Sequence, residues 1–264
     1  MTEIKLIATD IDGTLFDDEH HYDIKRLNAY LKKLHQQDVR FVVASGNNYD
    51  HLERIFKESP DIDIFIAENG AQIVDRGKTI YEKIVPNNLV IDMISTLSTE
   101  LDLKSISLSG KKASYAENTD DIPLYHINNL KLVDDITKVD DEIFKLNIQL
   151  KHDDLDAGVD LLNQKYSSTI YAAVSGFGSI DIMSAGVNKS LGLQHLTEIL
   201  NISLDNVMAF GDNTNDLEML KEVGLSYSMK NAKQSILDIG DRITKDDNNH
   251  DGVLNSIGEF FQLD

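Results

Sequence analysis

The sequence predicts an α/β fold in which a parallel-sheet core is split by an inserted α/β segment. Apolar strands alternate with amphipathic helices at both ends of the chain, and this alternation changes character between residues 84 and 183. A third observation places a site on that fold. Asp10-Ile11-Asp12-Gly13-Thr14-Leu15 directly follows the apolar run Ile4 to Ala8, at the carboxyl end of the first strand, where open α/β sheets bind ligands.

After the first strand, Leu27, Tyr30, Leu31 and Leu34 recur at helical spacing, and Phe41 to Ala44 form a second apolar strand. Strand, helix, strand implies parallel pairing. A helical segment around Leu52 to Phe56 and a third strand, Ile62 to Ala67, come next, and Asn69-Gly70 signals a hairpin. Beyond Pro86 the pattern predicts a helix at Leu89 to Leu97 and strands at Ser105 to Ser109 and Ala113 to Ala116. A strand in which Phe144, Leu146, Ile148 and Leu150 alternate with polar residues follows. A helix at Leu155 to Leu162 and strands at Thr169 to Val174 and Ser179 to Met183 complete the insert, whose alternation suggests a sheet with one wet face. From Val187 the order returns to helix (Leu191 to Leu200), strand (Val207 to Phe210), helix (Leu217 to Val223), short strand (Ser226 to Met229) and a last helix (Val253 to Phe261). The expected organisation is a Rossmann-like core of residues 1–83 and 184–264, with residues 84–183 as an inserted α/β cap domain.

The chain has 264 residues, 41% of them hydrophobic, enough for a packed core. A formal charge of −20, spread along the chain, argues against nucleic acid and against anionic membrane as partners, since both demand clustered lysine and arginine. An acidic protein can still bind phosphate esters if a divalent cation reverses the local field. Cysteine is absent, which excludes disulfides, a thiolate nucleophile and cysteine-based zinc sites, and fits a reducing, cytoplasmic location. The start lacks a basic region followed by a long apolar segment, so neither export nor membrane spanning is expected. No feature specifies an oligomeric state.

Asp-Gly near a strand end is also ordinary turn chemistry, and paired aspartates occur in calcium loops. The calcium loop needs glycine at its sixth position and glutamate at its twelfth. The Asp10 stretch has its glycine at the fourth. Asp212 to Val223 fails at both positions, and Asp247 to Gly252 fits the first six but meets Gly258 where the glutamate belongs. Three other segments point to the tip of the first strand. Val43-Ala44-Ser45-Gly46-Asn47 offers a hydroxyl and a glycine amide to phosphate oxygens, although it also reads as a plain strand-to-helix turn. Lys189 stands near a helix start, where it opposes the macrodipole, so helix stability does not explain it; a solvated surface lysine is the plain alternative. Asp212 follows the strand Val207 to Phe210, and a capping role for Asp212 or Thr214 leaves a second acid, Asp216, unexplained. His20, His21, His126 and His152 are expected to be solvated, whereas the loop of His250 is a candidate to approach the site.

Taken together these residues resemble the haloacid dehalogenase-like phosphohydrolases. The resemblance covers essentially the whole chain: Asp-x-Asp-Gly-Thr-Leu, the Ser45-Gly46 turn, Ala67-Glu68-Asn69-Gly70-Ala71, the isolated Lys189, and Gly211-Asp212-Asn213-Thr214-Asn215-Asp216 before Leu217-Glu218-Met219-Leu220. The insert resembles the α/β cap of the Cof-type subfamily. Ala44 to Asn47, Ser175-Gly176-Phe177-Gly178 and Asp246 to Gly252 resemble bacterial sugar-phosphate phosphatases.

The resemblance implies Asp10 as nucleophile, forming an aspartyl-phosphate, and Asp12 as the acid and then the base. It implies Mg²⁺ held by the Asp10 carboxylate, the Asp12 backbone carbonyl and Asp212, with Thr14, Ser45, Gly46, Asn47, Lys189 and Asn215 around the substrate. Asp216 stands behind them, orienting the others. The implied substrate is a small phosphate ester, a sugar phosphate first of all. This chain departs from many relatives at Asn47, where arginine is frequent, and at Ser190, where glycine is. A phosphotransferase or phosphomutase on sugar phosphates, or a non-catalytic regulator with the same fold, remain alternatives, the last disfavoured by the intact Asp10 and Asp12.

Overall fold

The structure, a computed structural model, describes residues 3–62, 64–117, 129–151, 154–175 and 178–263. His126, His152, Gly176 and Phe177 lie outside the described residues. The chain divides into two compact units, Met1–Tyr81 with Asn188–Asp264, and Glu82–Val187. The second unit is a few residues longer at each end than the 84–183 segment read from the sequence. Its two ends are bonded to each other, Lys83 Nζ donating to the Ala185 carbonyl (2.8 Å) and Ser184 Oγ to that of Ile84 (2.7 Å).

In chain order the first unit opens with β1 (Leu6–Thr9), α1 (Ile24–Gln36), β2 (Arg40–Ala44), α2 (Tyr49–Ile55), β3 (Ile64–Ala67), β4 (Gln72–Asp75) and β5 (Lys78–Glu82). The second unit contains α3 (Asn87–Glu100), β6 (Leu103–Gly110), β7 (Ser114–Glu117), β8 (Leu130–Val133), β9 (Ile143–Leu150), α4 (Leu155–Lys165), β10 (Ile170–Ser175) and β11 (Ser179–Ser184). The chain then returns through α5 (Lys189–Leu200), β12 (Val207–Gly211), α6 (Leu217–Glu222), β13 (Leu225–Ser228), α7 (Gln234–Leu237), β14 (Arg242–Ile243) and α8 (Gly252–Phe261).

The first unit is an eight-stranded sheet in the order β14-β13-β12-β1-β2-β3-β4-β5. Its central pairs are parallel, and β3 pairs antiparallel with β4 across the Glu68–Ala71 connection, the hairpin that Asn69-Gly70 signals. Period-two alternation sends Ile7, Phe41, Val43, Phe65, Met208 and Phe210 to one apolar layer, shared with Leu27, Leu31 and Leu34 of α1 and Leu254 and Ile257 of α8. Leu6, Ala8, Val42, Ile64, Ile66 and Ala209 face the other, against Leu193 and Leu196 of α5 and Leu220 of α6. Burial on both faces is why these strands read as continuous apolar runs.

The second unit is a six-stranded sheet in the order β10-β11-β9-β6-β7-β8. Val90, Met93, Ile94 and Leu97 of α3 and Leu162 of α4 pack on Leu108, Leu146, Ile148, Ile180 and Ile182. In β9 the intervening Lys145, Asn147 and Gln149 turn to the opposite, polar face, where Lys145 Nζ (3.1 Å) and Asn147 Nδ2 (2.7 Å) reach the Asp181 carboxylate. Strands β4, β5, β8 and β14 and the single turn α7 carry no periodic signal long enough to read. Edge strands such as β5 and β14, largely exposed, need no apolar run, because their strand identity comes from pairing with a neighbour. Among the described residues no helix is long and apolar enough to cross a membrane.

Candidate active site

Strand β1 pairs in parallel with both β2 and β12, so that Thr9 lies opposite Val43 on one side and Phe210 on the other. The three strands therefore end together, and the residues just beyond them, Asp10, Ser45 and Asp212, emerge along one edge of the sheet. This edge is also the point where the strand order reverses, β2 and β3 running to one side and β12 and β13 to the other.

Lys189 closes the constellation. It is the first residue of α5, whose start is capped by Asn188 (side chain accepting from the Leu191 amide, 2.8 Å), and its side chain is fully buried. The solvated-lysine reading is thereby excluded. Its Nζ donates to Asp10 Oδ1 at 2.5 Å and to Asp216 Oδ1 at 2.6 Å. The second oxygen of Asp216 accepts from the amides of Asp212 and Asn213, both at 3.1 Å. Both carboxylate oxygens of Asp216 are thus engaged, one by Lys189 and the other by the Asp212 loop. Gly70 lets this arrangement close: it has φ +100°, and a Cβ there would stand 2.1 Å from the Asn188 carbonyl oxygen.

The remaining sequence-read residues divide between this cluster and its rim. Thr14 is buried and donates its hydroxyl to Asp212 Oδ1 at 2.9 Å. The Asp12 carboxylate is exposed, whereas Asp10 is buried, and His20 Nδ1 stands 3.4 Å from Asp12 Oδ1. His20 is thus exposed, as expected, yet stands beside Asp12. Ser45 is buried, its Oγ accepting from the Asn47 amide at 3.1 Å, and the loop is held by Asn69 donating its amide to the Ser45 carbonyl and Glu68 to that of Asn47. Gly46 lies against the Asn69 side chain, which a Cβ would approach to 3.1 Å. Asn215 sits partly exposed in the turn Thr214–Asp216 and makes none of the bonds that fix Lys189. His250 is exposed and paired with Asp247 at 2.6 Å, which raises its pKa, so its loop approaches the site through other residues.

Asn248 of that loop, and Asn231 in the separate segment after β13, reach the loop after β1 instead, and the sequence singled out neither of them individually. Asn231 Nδ2 donates to the Gly13 carbonyl (2.8 Å), and Asn248 Nδ2 donates to the Phe16 carbonyl (3.1 Å) and to Asp18 Oδ1 (3.0 Å). The Asp246 to Gly252 motif could have pointed to Asn248; Asn231, one of several polar residues after β13, gives no such signal.

Electrostatically the cluster is short of positive charge. Burial raises the pKa of Asp10 well above the aspartate range, with repulsion from Asp216 and Asp212 adding to it against the pull of Lys189. Burial and Asp216 push Asp212 up to about 6. Burial works against the Lys189 ammonium, but Asp10 and Asp216 outweigh it and raise its pKa. Carboxylate oxygens of Asp10, Asp212 and Asp216 lie within 4.8 Å of one another. With both oxygens of Asp216 engaged, Asp10 and Asp212 are left to hold a cation, and an oxygen-only donor set suits Mg²⁺.

A carboxyl whose pKa rises on folding stabilises the fold below its unfolded pKa, and that contribution is lost as pH rises through the folded value. For Asp212 the loss falls between the ordinary 3.8 and about 6. A shift of this size corresponds to about 2–3 kcal/mol. In chelator, urea unfolding should therefore show Asp212→Asn gaining on wild type by up to that amount between about pH 4 and pH 7. Added Mg²⁺ should stabilise wild type more at the upper end, because the ion competes with protons. A pH-independent gap between the two proteins would contradict the assigned environment of Asp212.

The haloacid dehalogenase-like hydrolase family model matches residues 7–257. The 5-amino-6-(5-phospho-D-ribitylamino)uracil phosphatase YbjI of Escherichia coli (strain K12) is 31% identical over 258 residues, 96% of this chain and 95% of that protein. The phosphatase YcsE of Bacillus subtilis (strain 168), named for the same substrate, is 27% identical over 255 residues, covering 97% and 95%. A solved structure from Streptococcus mutans UA159 superposes with a TM-score of 0.92 at 32% identity, over 98% of this chain and 100% of that one. This chain belongs to the haloacid dehalogenase-like hydrolases of the Cof type, among relatives named as phosphatases.

Proposed function

We propose that the protein is a Mg²⁺-dependent phosphatase of small phosphorylated metabolites, acting through an aspartyl-phosphate on Asp10. The observation that carries this reading is the buried Asp10–Lys189–Asp216 chain at the switch point of the sheet, with Asp212 beside it. A fixed ammonium aims one carboxylate, and the excess negative charge around it calls for a divalent ion.

An Asp10 oxygen attacks phosphorus in line, forming an O–P bond as the bond to the leaving alkoxide breaks, and Asp12 gives its proton to that alkoxide. Asp12 then takes a proton from water, whose oxygen attacks the same phosphorus and releases phosphate and the free Asp10 carboxylate. The exposed Asp12 suits both transfers, because each exchanges a proton with a group arriving from solvent. Ser45, the Gly46 and Asn47 amides and Lys189 bind the phosphoryl oxygens, while Thr14 and Asp216 hold Asp212 and Lys189 in place. Asp10, the Asp12 carbonyl and Asp212 would hold Mg²⁺, which would supply charge neutralisation at the phosphoryl group.

The names of the two curated relatives favour a phosphorylated sugar alcohol attached to a heterocycle as the first substrate to test. Residues 84–183 are read as the cap that selects the leaving group. Substitutions on the polar sheet face of that unit, such as Lys145→Ala, should then reorder substrates, whereas changes around phosphate should slow all of them alike.

Phosphate release from a panel of sugar phosphates and 5-amino-6-(5-phospho-D-ribitylamino)uracil tests the reading directly. Turnover should vanish in chelator and return with Mg²⁺. Ca²⁺, which takes six to eight ligands at about 2.3–2.6 Å instead of six at about 2.0–2.1 Å, should bind without supporting it. No release from any member, or equal rates with both ions, would refute the proposal.

A further inference from the structure

The loops carrying Asp12 and Asp212 come from different strands, and a Mg²⁺ site between them depends on their spacing. Thr14 provides one tie. A second runs through the segment 229–233 that follows β13. Met229 donates its amide to the Gly211 carbonyl and Lys233 its amide to that of Asp212, both at 3.0 Å, which fastens the segment to the end of β12. Between these anchors Asn231 reaches across to the Gly13 carbonyl at 2.8 Å. Its other side-chain atom, Oδ1, accepts from the Asn248 amide at 3.1 Å. A backbone N–H demands the oxygen, so the Asn231 amide group is locked with its NH₂ toward Gly13.

We infer that Asn231 is a positioning residue that sets the spacing of the two cation-binding loops, with the Asp247 loop as its brace. The inference rests on the phosphatase reading of Asp10, Asp12 and Asp212. Gly13 shows how narrow the tolerance is: it has φ +75°, and a Cβ there would stand 2.7 Å from Asp212 Oδ2. The peptide that Asn231 holds is next in the chain to the Asp12 carbonyl. Rotation of that peptide would spoil the near-ideal octahedron that Mg²⁺ requires. The brace also accounts for the calcium-like motif. Asn249 Oδ1 accepts from the Asp18 amide at 3.0 Å, its Nδ2 donates to Asp18 Oδ2 at 3.0 Å, and Asp247 is paired with His250. The Asn249 side chain thus clamps the loop after β1, while the Asp247 carboxylate is engaged within its own loop.

The plain alternative is a surface hydrogen bond without consequence for the ion. Asn231 is exposed, so its replacement should hardly alter folding, and ion affinity is the readout that separates the two. Mn²⁺ binding to the full chain, followed by electron paramagnetic resonance with Mg²⁺ competition, tests it. Asn231→Ala should weaken Mn²⁺ about tenfold or more, as loss of outer-shell partners does elsewhere, with the urea midpoint unchanged and kcat recovered at saturating Mg²⁺. Asn231→Asp keeps the acceptor for Asn248 and loses the donor to Gly13. Its added negative charge alone would tighten cation binding, so weaker Mn²⁺ in this variant is expected only if the donor sets the site. Wild-type or tighter binding in Asn231→Asp, or affinity in Asn231→Ala that falls only in step with stability, would overturn the inference. Asp212→Ala is the reference: undiminished binding there overturns the metal reading itself, whereas its loss beside wild-type affinity in Asn231→Ala overturns the positioning role alone.

Discussion

Asp10→Asn is expected to abolish phosphate release, by about 10⁴-fold or more, while leaving the protein folded. The substitution keeps size and an acceptor oxygen for Lys189, and it removes the anion that attacks phosphorus. Its effect on stability should have the opposite sign to its effect on turnover. Burial and the neighbouring Asp216 and Asp212 already make the Asp10 charge unfavourable, so a neutral amide relieves repulsion in the metal-free protein. Paired assays of phosphate release and urea unfolding in chelator check both halves. Substantial turnover in this variant would remove Asp10 from the chemistry.

Lys189→Met should produce the other large effect, in both activity and stability. Methionine keeps most of the buried stem and removes the ammonium, leaving the Asp10 and Asp216 carboxylates without their shared partner. Breaking a buried pair in this way costs about 3–5 kcal/mol. Protonation of the stranded carboxylates offsets part of the cost, so the loss should be smaller at about pH 5 than at pH 7. Losing one fixed donor to the phosphoryl group should lower kcat by about 10²–10³-fold for every substrate. Denaturant curves at the two pH values, with kcat for several phosphate esters, test this. A variant as stable as wild type in chelator would mean that Lys189 does not hold these carboxylates together.

The inserted unit shows how far periodicity reaches. In β9 the alternation of Leu146 and Ile148 with Lys145 and Asn147 is visible in the sequence, and the structure places one set in the core and the other on the polar face. That Asn147 and Lys145 meet Asp181 there depends on the register of β9 with β11, a property of the pairing and not of either strand.

By itself the sequence determined the α/β architecture of the core and the carboxylates at the tips of β1 and β12. Those properties are local: an apolar run marks a strand buried on both faces, and a polar turn directly after it has to lie at the strand end. Tertiary structure alone decided what the polar groups do there. Lys189 meets Asp10 across 179 residues of chain, Thr14 meets Asp212 across 198, and Asn231 meets Gly13 across 218. Side-chain spacing cannot encode such partners. Whether a lysine at a helix start is solvated or buried between carboxylates depends on which strand ends the sheet topology brings beside it, and parallel pairing of β1 with β12 is what brings Asp10 and Asp212 to the same place.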